Sequence, residues 1–295
     1  MRILLLGANG QVGHELRRAL KPLGEVVCTT RSGLLEDGTH CEVADFDEPA
    51  VLAPLVARIA PDVVVNAAAY TAVDKAESDR EAAFRANAQA PDELARACAR
   101  IDALLVHYST DYVFDGASSR PYREDDPPAP VGVYGQSKLA GENAIRASGA
   151  RHLIFRTAWV YASHGRNFML SMLRLAKERE ELRVVADQVG TPTPAALIAD
   201  VTAQVLARPY VASGVWHLTA NGETSWHGFA CAIVEAAHAR GLIPRKPRVV
   251  AITTAEYPTP ARRPADSRLD CTRLDRDFGV QRPHWRDALD EVLVV

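Results

Sequence analysis

Arg2-Ile3-Leu4-Leu5-Leu6-Gly7-Ala8-Asn9-Gly10-Gln11-Val12-Gly13 decides the fold. A short apolar run, of the length of a buried parallel strand, leads straight into glycines at positions 7, 10 and 13. A helical stretch follows from Gln11 to about Lys21. Glycines let the backbone turn sharply and approach a pyrophosphate, which then rests on the free N–H groups of the helix N-terminus. Taken alone, a glycine triplet is also an ordinary tight turn. With a strand before it and a helix after it, the stretch reads as a dinucleotide-binding opening.

Outward from that stretch, apolar runs alternate with helical patterns. The strand expectations are Arg2–Leu6, Glu25–Thr29, Asp62–Asn66, Ala103–Tyr108 and Arg151–Arg156. Glu48–Ile59, Glu81–Ala99 and Val133–Ala147 carry apolar residues at helical spacing. The alternation predicts an α/β fold, a Rossmann-like doubly wound parallel sheet whose ligands sit at the carboxyl ends of the strands. Residues 120–130, rich in proline and acid, read as a surface loop. Beyond Trp159 the alternation fades and prolines divide shorter elements, the pattern of a smaller C-terminal region that covers substrate.

Tyr134 and Lys138 share one face of the helix expected over 133–147. A free phenol has a pKa of about 10, and a lysine ammonium held against it is expected to lower that value toward the working range. Such a tyrosine exchanges a proton with a carbonyl oxygen or an alcohol. Tyr-x-x-x-Lys also arises by chance on amphipathic helices; the nucleotide-binding opening is what lends this pair weight. The run Val106–Gly116 delivers Ser109 and Thr110 to the carboxyl edge of the sheet, where a hydroxyl can hydrogen-bond a carbonyl oxygen as it gains charge. Ala67, Ala68 and Ala69 leave room for an adenosine and its phosphates, and Asp45-Phe46 suits an adenine. After the second strand, where an acid would bind a ribose 2′-hydroxyl, stand Arg31 and Ser32, which suit a 2′-phosphate. Each of these taken singly also fits a turn, a cap or a solvated side chain. His107, between Val106 and Tyr108, reads as a packed core residue, and the other histidines show no metal-ligand spacing.

With 295 residues, 47% hydrophobic and 24% charged, the chain can bury a large core. A net charge of −3 leaves no footprint for nucleic acid or a membrane surface. Cys28, Cys41, Cys98, Cys231 and Cys271 are odd in number and unclustered, which favours reduced thiols in a cytoplasm over a disulfide frame or zinc site. No apolar run reaches membrane-spanning length, and Gly7 interrupts the first one before it could serve as a signal-peptide core.

The motifs together resemble the extended short-chain dehydrogenase/reductase superfamily and, within it, the dTDP-4-dehydrorhamnose reductase family. The resemblance spans nearly the whole chain, through Gly7–Gly13, Asn66–Glu77, Ser109–Gly116, Val133–Lys138, Arg156–Tyr161, Asp187–Thr193 and Arg262–Leu269. It implies reduction of a 4-keto sugar nucleotide with NADPH or NADH. Tyr134 would be proton donor, Lys138 its tuner and ribose ligand, and Thr110 the hydroxyl at the substrate carbonyl. It also implies cofactor contacts from Gly7, Gly10, Gln11, Val12, Gly13, Arg31, Asp45, Phe46, Ala67, Ala68, Ala69, Tyr70, Thr71 and Asn87, and substrate contacts from Thr110, Asp111, Tyr112 and Trp159. The implied division is a dinucleotide-binding domain over 1–160, rejoined around 195–222, with 161–194 and 223–295 binding substrate. A homodimer is compatible with it. Tyr70 departs from the His that many relatives carry there. Some relatives associate with magnesium (Mg2+), for which Glu15 is the nearby acid; a solvated helix carboxylate is the plainer reading, and no metal ligand is assigned.

Of three rival readings, the sequence argues against the first and leaves the other two open. A sugar-nucleotide dehydratase usually carries Asp-Glu after the threonine; here Asp111 is followed by Tyr112, with no basic residue in that strand end to ionise the phenol. An epimerase can use the same tyrosine and cofactor. Outside catalysis, similar proteins serve as NADP-binding regulatory subunits of methionine adenosyltransferase; these tend to have lost the catalytic set, whereas Thr110, Tyr134 and Lys138 are all present here.

Overall fold

The glycine-rich opening folds as its pattern requires in the computed structural model, which describes residues 1–209 and 212–293. Residues 210 and 211, within the expected return segment, and residues 294 and 295, at the end of the expected substrate region, lie outside the described residues. Strand β1 (Arg2–Leu6) is buried from Ile3 to Leu6 and runs into helix α1 (Gln11–Leu20). Four further strands fall within two residues of their expected bounds: β2 (Glu25–Thr30), β4 (Val63–Asn66), β5 (Leu104–Thr110) and β6 (His152–Thr157). Two more extend the sheet, β3 (Glu42–Val43) at one edge and the strand Gly214–His217 at the other.

The seven strands form one parallel sheet in the order Gly214–His217, β6, β5, β4, β1, β2, β3. The order reverses direction at β1, so the crevice above the carboxyl ends of β1 and β4 is the ligand position of a doubly wound sheet. One face packs Leu16 and Leu20 of α1 and Ile198, Val201 and Val205 of the helix Ala195–Leu206. The other packs Leu52, Leu55 and Val56 of the helix Leu52–Ile59, Leu94 and Cys98 of the helix Ala90–Ile101, and Ile145.

The helix expected over 133–147 forms as Val133–Ala147. The one expected over Glu81–Ala99 is broken into helical Arg80–Phe84, a π turn Arg85–Gln89, and Ala90–Ile101. A π turn inserts one residue into the helical ladder and often marks a functional position; here it carries Asn87. Beyond the sheet a separate core gathers Phe229, Ile233, Met169, Met172, Leu182 and Trp285 between the helices Phe168–Glu178 and Trp226–Ala239 and the parallel strands Glu181–Val185 and Arg248–Ile252. All five cysteines are free thiols. Among the described residues no helix is long and apolar enough to cross a membrane.

Candidate active site

A cleft of about 580 Å3 opens above the switch point, walled by Gly7, Gly10, Gln11, Val12, Arg31, Phe46, Ala67–Thr71, Tyr134 and Lys138. Its floor has no room for side chains. Gly7 has φ of +79°, and a Cβ there would lie 2.7 Å from the Ala68 nitrogen; one at Gly13 would collide with the Gly7 carbonyl. The backbone therefore comes close enough to receive a pyrophosphate, and α1 aims its unpaired first N–H groups at it. These features fit a nicotinamide dinucleotide.

Three expected cofactor residues stand behind the wall rather than on it. Gly13 packs α1 onto the turn. Asp45 accepts from the backbone N–H of Asp47 at 2.9 Å and lies 3.3 Å from Arg31 Nε. Asn87 is fully buried; its amide brackets the Tyr70 backbone, accepting from Tyr70 N at 2.9 Å and donating to Tyr70 O at 3.0 Å. A third bond, to Ser137 Oγ at 3.0 Å, ties it to the tyrosine helix. Residues given no site role in the sequence reading also line the cleft: Asn9, Thr30, Ala44, Asp47, Thr157, Val160, Gly165 and Arg166. Most belong to strand ends brought together only by the sheet order, and Gly165 and Arg166 come from a loop that packs back on α1.

At the cleft's inner end the side chains depart from one expectation. The buried Lys138 ammonium donates to Tyr108 O at 2.6 Å and to His107 Nε2 at 3.2 Å, and no bond joins it to the Tyr134 phenol. Burial, with the Asp111 charge adding to it, pushes Tyr134 up to about 12, while contact with the Thr110 hydroxyl pulls the other way. Lys138 therefore does not bring this phenol toward neutrality, because desolvation outweighs a cation turned elsewhere. Lys138 is itself pushed down to about 8 by burial, against the Glu142 charge. Burial and the Lys138 charge hold His107 well below the usual imidazole range, so it stands neutral. Its Nδ1 lies 3.1 Å from the Asn66 amide nitrogen. The core reading of His107 holds, with the addition that it positions Lys138.

Ser109 and Thr110 divide their tasks. The Ser109 hydroxyl donates to Glu142 at 2.5 Å, and Glu142 pairs with the buried Arg156 at 2.7 Å. Thr110 Oγ1 donates to Asp111 Oδ1 at 3.0 Å and accepts from Tyr112 N at 3.2 Å. Asp111 is buried, its second carboxylate oxygen has no hydrogen-bond partner among the described residues, and burial pushes it up to about 6 against the pull of the Ser267 and Thr110 hydroxyls. Tyr112 meets the Tyr134 ring edge-on at 5.7 Å between centroids. A cation from outside its own strand end does face it: Arg263, far along the chain, draws its pKa down. Burial outweighs that and leaves the phenol above its ordinary value.

Tyr112 also lines a second cleft of about 520 Å3, with Phe168, Arg179, Arg183, Gln188, Trp226, Tyr257 and Arg263. Tyr112 and Tyr134 thus join the two clefts at one seam. Trp159 lines neither. It holds a left-handed backbone (φ 48°) and stacks on Trp226, ring centroids 3.6 Å apart and 7° from parallel, so it braces that wall. Glu15 is placed beside His14 and His164 rather than among oxygen ligands. Magnesium prefers an octahedron of oxygens, and this donor set does not fit it.

The parallel sheet, the glycine cradle and the helix carrying Tyr134 and Lys138 into the cleft are those of a nicotinamide-dependent reductase of Rossmann-like fold. The chain belongs to the RmlD substrate binding domain family, which it matches over residues 1–295. It is 52% identical to a dTDP-4-dehydrorhamnose reductase of Burkholderia thailandensis, over 98% of this chain and 97% of that one. The solved dTDP-4-dehydrorhamnose reductase of Clostridium acetobutylicum superposes with a TM-score of 0.90 at 37% identity, covering 99% of this chain and 98% of the other. That of Bacillus anthracis, solved in complex with NADP, gives 0.89 at 33% identity with the same coverage.

Proposed function

We propose that this chain reduces the 4-keto group of dTDP-4-dehydro-L-rhamnose to give dTDP-L-rhamnose, with NADPH or NADH as reductant. The observation that carries the reading is the seam between the clefts: Tyr134 walls the cofactor cleft, Tyr112 walls the second, and their rings touch. The nicotinamide, when bound, supplies a hydride to the sugar carbonyl carbon. Tyr134, a protonated phenol at neutral pH with or without its upward shift, gives its proton to the oxygen that becomes an alkoxide, a stronger base than a phenolate. Thr110 gives its one hydroxyl proton to Asp111 in the resting site and turns it to the phenolate left behind, which it touches. Lys138 spends two of its protons on Tyr108 and His107, which leaves the third for a ribose hydroxyl.

Residues 161–194 and 223–295 serve as the substrate side in this reading. The aromatic rings of the second cleft take the base, and Arg179, Arg183 and Arg263 face the diphosphate. Arg31 reaches toward a 2′-phosphate but already spans Asp45 at 3.3 Å and Asp47 at 3.2 Å, so its preference for NADPH is small and both cofactors serve. The free thiols suit a cytoplasmic setting.

The test is a comparison of two incubations. With dTDP-glucose and NAD the pure protein should form no 4-keto-6-deoxy sugar. With dTDP-4-dehydro-L-rhamnose it should consume reduced cofactor. A 4-keto-6-deoxy product in the first incubation would make the protein a dehydratase. Cofactor bound but never consumed in the second would return it to the regulatory class.

A further inference from the structure

His14 and Glu15 on α1 meet His164, a residue 150 positions away that lies in the loop after the short strand Val160–Tyr161. One ligand atom from each lies within 4.8 Å of the other two. His164 Nε2 is 2.8 Å from Glu15 Oε1, and the two imidazole rings lie 4.2 Å apart between centroids, tilted by 39°. We propose that His14, Glu15 and His164 form a zinc-type transition-metal site that fastens the loop over residues 162–167 to the phosphate-binding helix.

The donor chemistry selects the ion. Two imidazoles and one carboxylate suit zinc, copper or nickel and are poor ligands for magnesium or calcium. Zinc holds nitrogen and carboxylate oxygen at about 2.0–2.2 Å, which sets tetrahedral ligand atoms roughly 3.4 Å apart; the 2.8 Å contact between His164 Nε2 and Glu15 Oε1 opens to admit the ion, and atoms toward the 4.8 Å limit of the cluster draw in. All three residues are half-buried, which leaves a fourth position open to water. A carboxylate, Glu36 Oε2, stands 3.4 Å from His14 Nδ1, which makes no hydrogen bond among the described residues. The opposing cation, Arg18, lies 3.8 Å from Glu15 and is drawn off by Asp200 at 2.8 Å.

Placement gives the site a consequence. The loop already docks on α1 through Asn167 Nδ2, which donates to Gln11 Oε1 at 2.8 Å. Gly165 and Arg166 in the same loop line the cofactor cleft beside Gly10, Gln11 and Val12. A metal bridging His164 to α1 would hold that wall in place, so metal and dinucleotide binding become coupled, each changing the other's affinity by the same factor.

The untagged full chain is titrated calorimetrically with zinc chloride, and separately with cobalt(II) followed by absorption. One equivalent of zinc should bind, and His164→Ala and His14→Ala should each weaken it by at least about tenfold, as loss of a direct ligand requires when outer partners alone cost 10–100-fold. Cobalt should give the visible bands of a nitrogen–oxygen site without the near-ultraviolet charge transfer of a thiolate site, which separates this cluster from the free cysteines. Zinc should also slow hydrogen exchange across residues 162–167 in the parent protein and not in His164→Ala. Because His164 lies outside helix and strand, that variant carries the test alone if His14→Ala does not fold. Zinc binding that survives both substitutions, a thiolate-type cobalt spectrum, or no binding at all overturns the proposal.

Discussion

Lys138 should give stability and activity opposite responses to alkaline pH. Burial lowers its pKa from the ordinary lysine value of 10.5 to about 8, so the unfolded chain binds the proton more tightly than the folded one. Between those two values the unfolded state holds more protons, and stability therefore rises with pH. At about 1.4 kcal/mol per pH unit, the gain between pH 8 and pH 9.5 is about 2 kcal/mol. Below pH 8 both states are protonated and the slope vanishes. Activity moves the other way. The ammonium donates to Tyr108 O and His107 and keeps a third proton for the cofactor, so kcat/KM for the cofactor should bend downward near pH 8 and approach a tenfold loss per unit beyond it. The measurement is urea unfolding of the protein and of Lys138→Met at several pH values without cofactor, with initial rates of the parent protein over the same range. Subtracting the two stability curves cancels every other titrating group. A difference that stays flat between pH 8 and 9.5 would refute the burial argument. A rising difference with no fall in kcat/KM would show that the charged form of Lys138 is dispensable.

Three further outcomes follow from single contacts. Tyr134→Phe keeps the ring that packs against Tyr112 and removes only the hydroxyl, so cofactor affinity by fluorescence titration should hold while kcat falls about 10²–10⁴-fold; near-parent turnover would remove Tyr134 from the proton step. Arg31→Ala should weaken NADPH by about tenfold or less, under the 1.5–3 kcal/mol of an unengaged charged contact, because Asp45 and Asp47 already hold the guanidinium. NADH should bind as before, and equal weakening of both cofactors would mean that Arg31 only braces the loop. Glu142→Ala strands the buried Arg156 and should cost about 3–5 kcal/mol in urea unfolding, against the expectation of under about 1 kcal/mol for an exposed pair.

What the sequence disclosed and what it hid divide by range. Arg2–Leu6 and Val133–Ala147 appear at their expected bounds because period and flanking glycines are local signals, read within a dozen residues. The π turn at Arg85–Gln89 was hidden, since the apolar spacing runs through it unbroken and it is revealed only by where Asn87 reaches. The edge strand Gly214–His217 lay in a stretch with no clear period and gains its place from pairing with β6. The site shows the same division. That Tyr134 and Lys138 share a helix face was legible from their spacing, and the place of Thr110 at the sheet edge from its apolar strand, but the direction of the Lys138 ammonium was not, because it depends on a carbonyl and an imidazole on a neighbouring strand. Arg263 facing Tyr112, and His164 facing His14, join residues 151 and 150 positions apart. No local pattern encodes such encounters.

The central claim is that a hydride passes from the nicotinamide to C4 of the sugar while Tyr134 supplies the proton. It is tested most directly with reduced cofactor carrying deuterium at its transferable C4 position, incubated with dTDP-4-dehydro-L-rhamnose and the pure protein. The account predicts dTDP-L-rhamnose with one deuterium at sugar C4 for each cofactor oxidised, seen by mass spectrometry and proton NMR. Product formed without that deuterium, or cofactor oxidised with the label elsewhere, would contradict it.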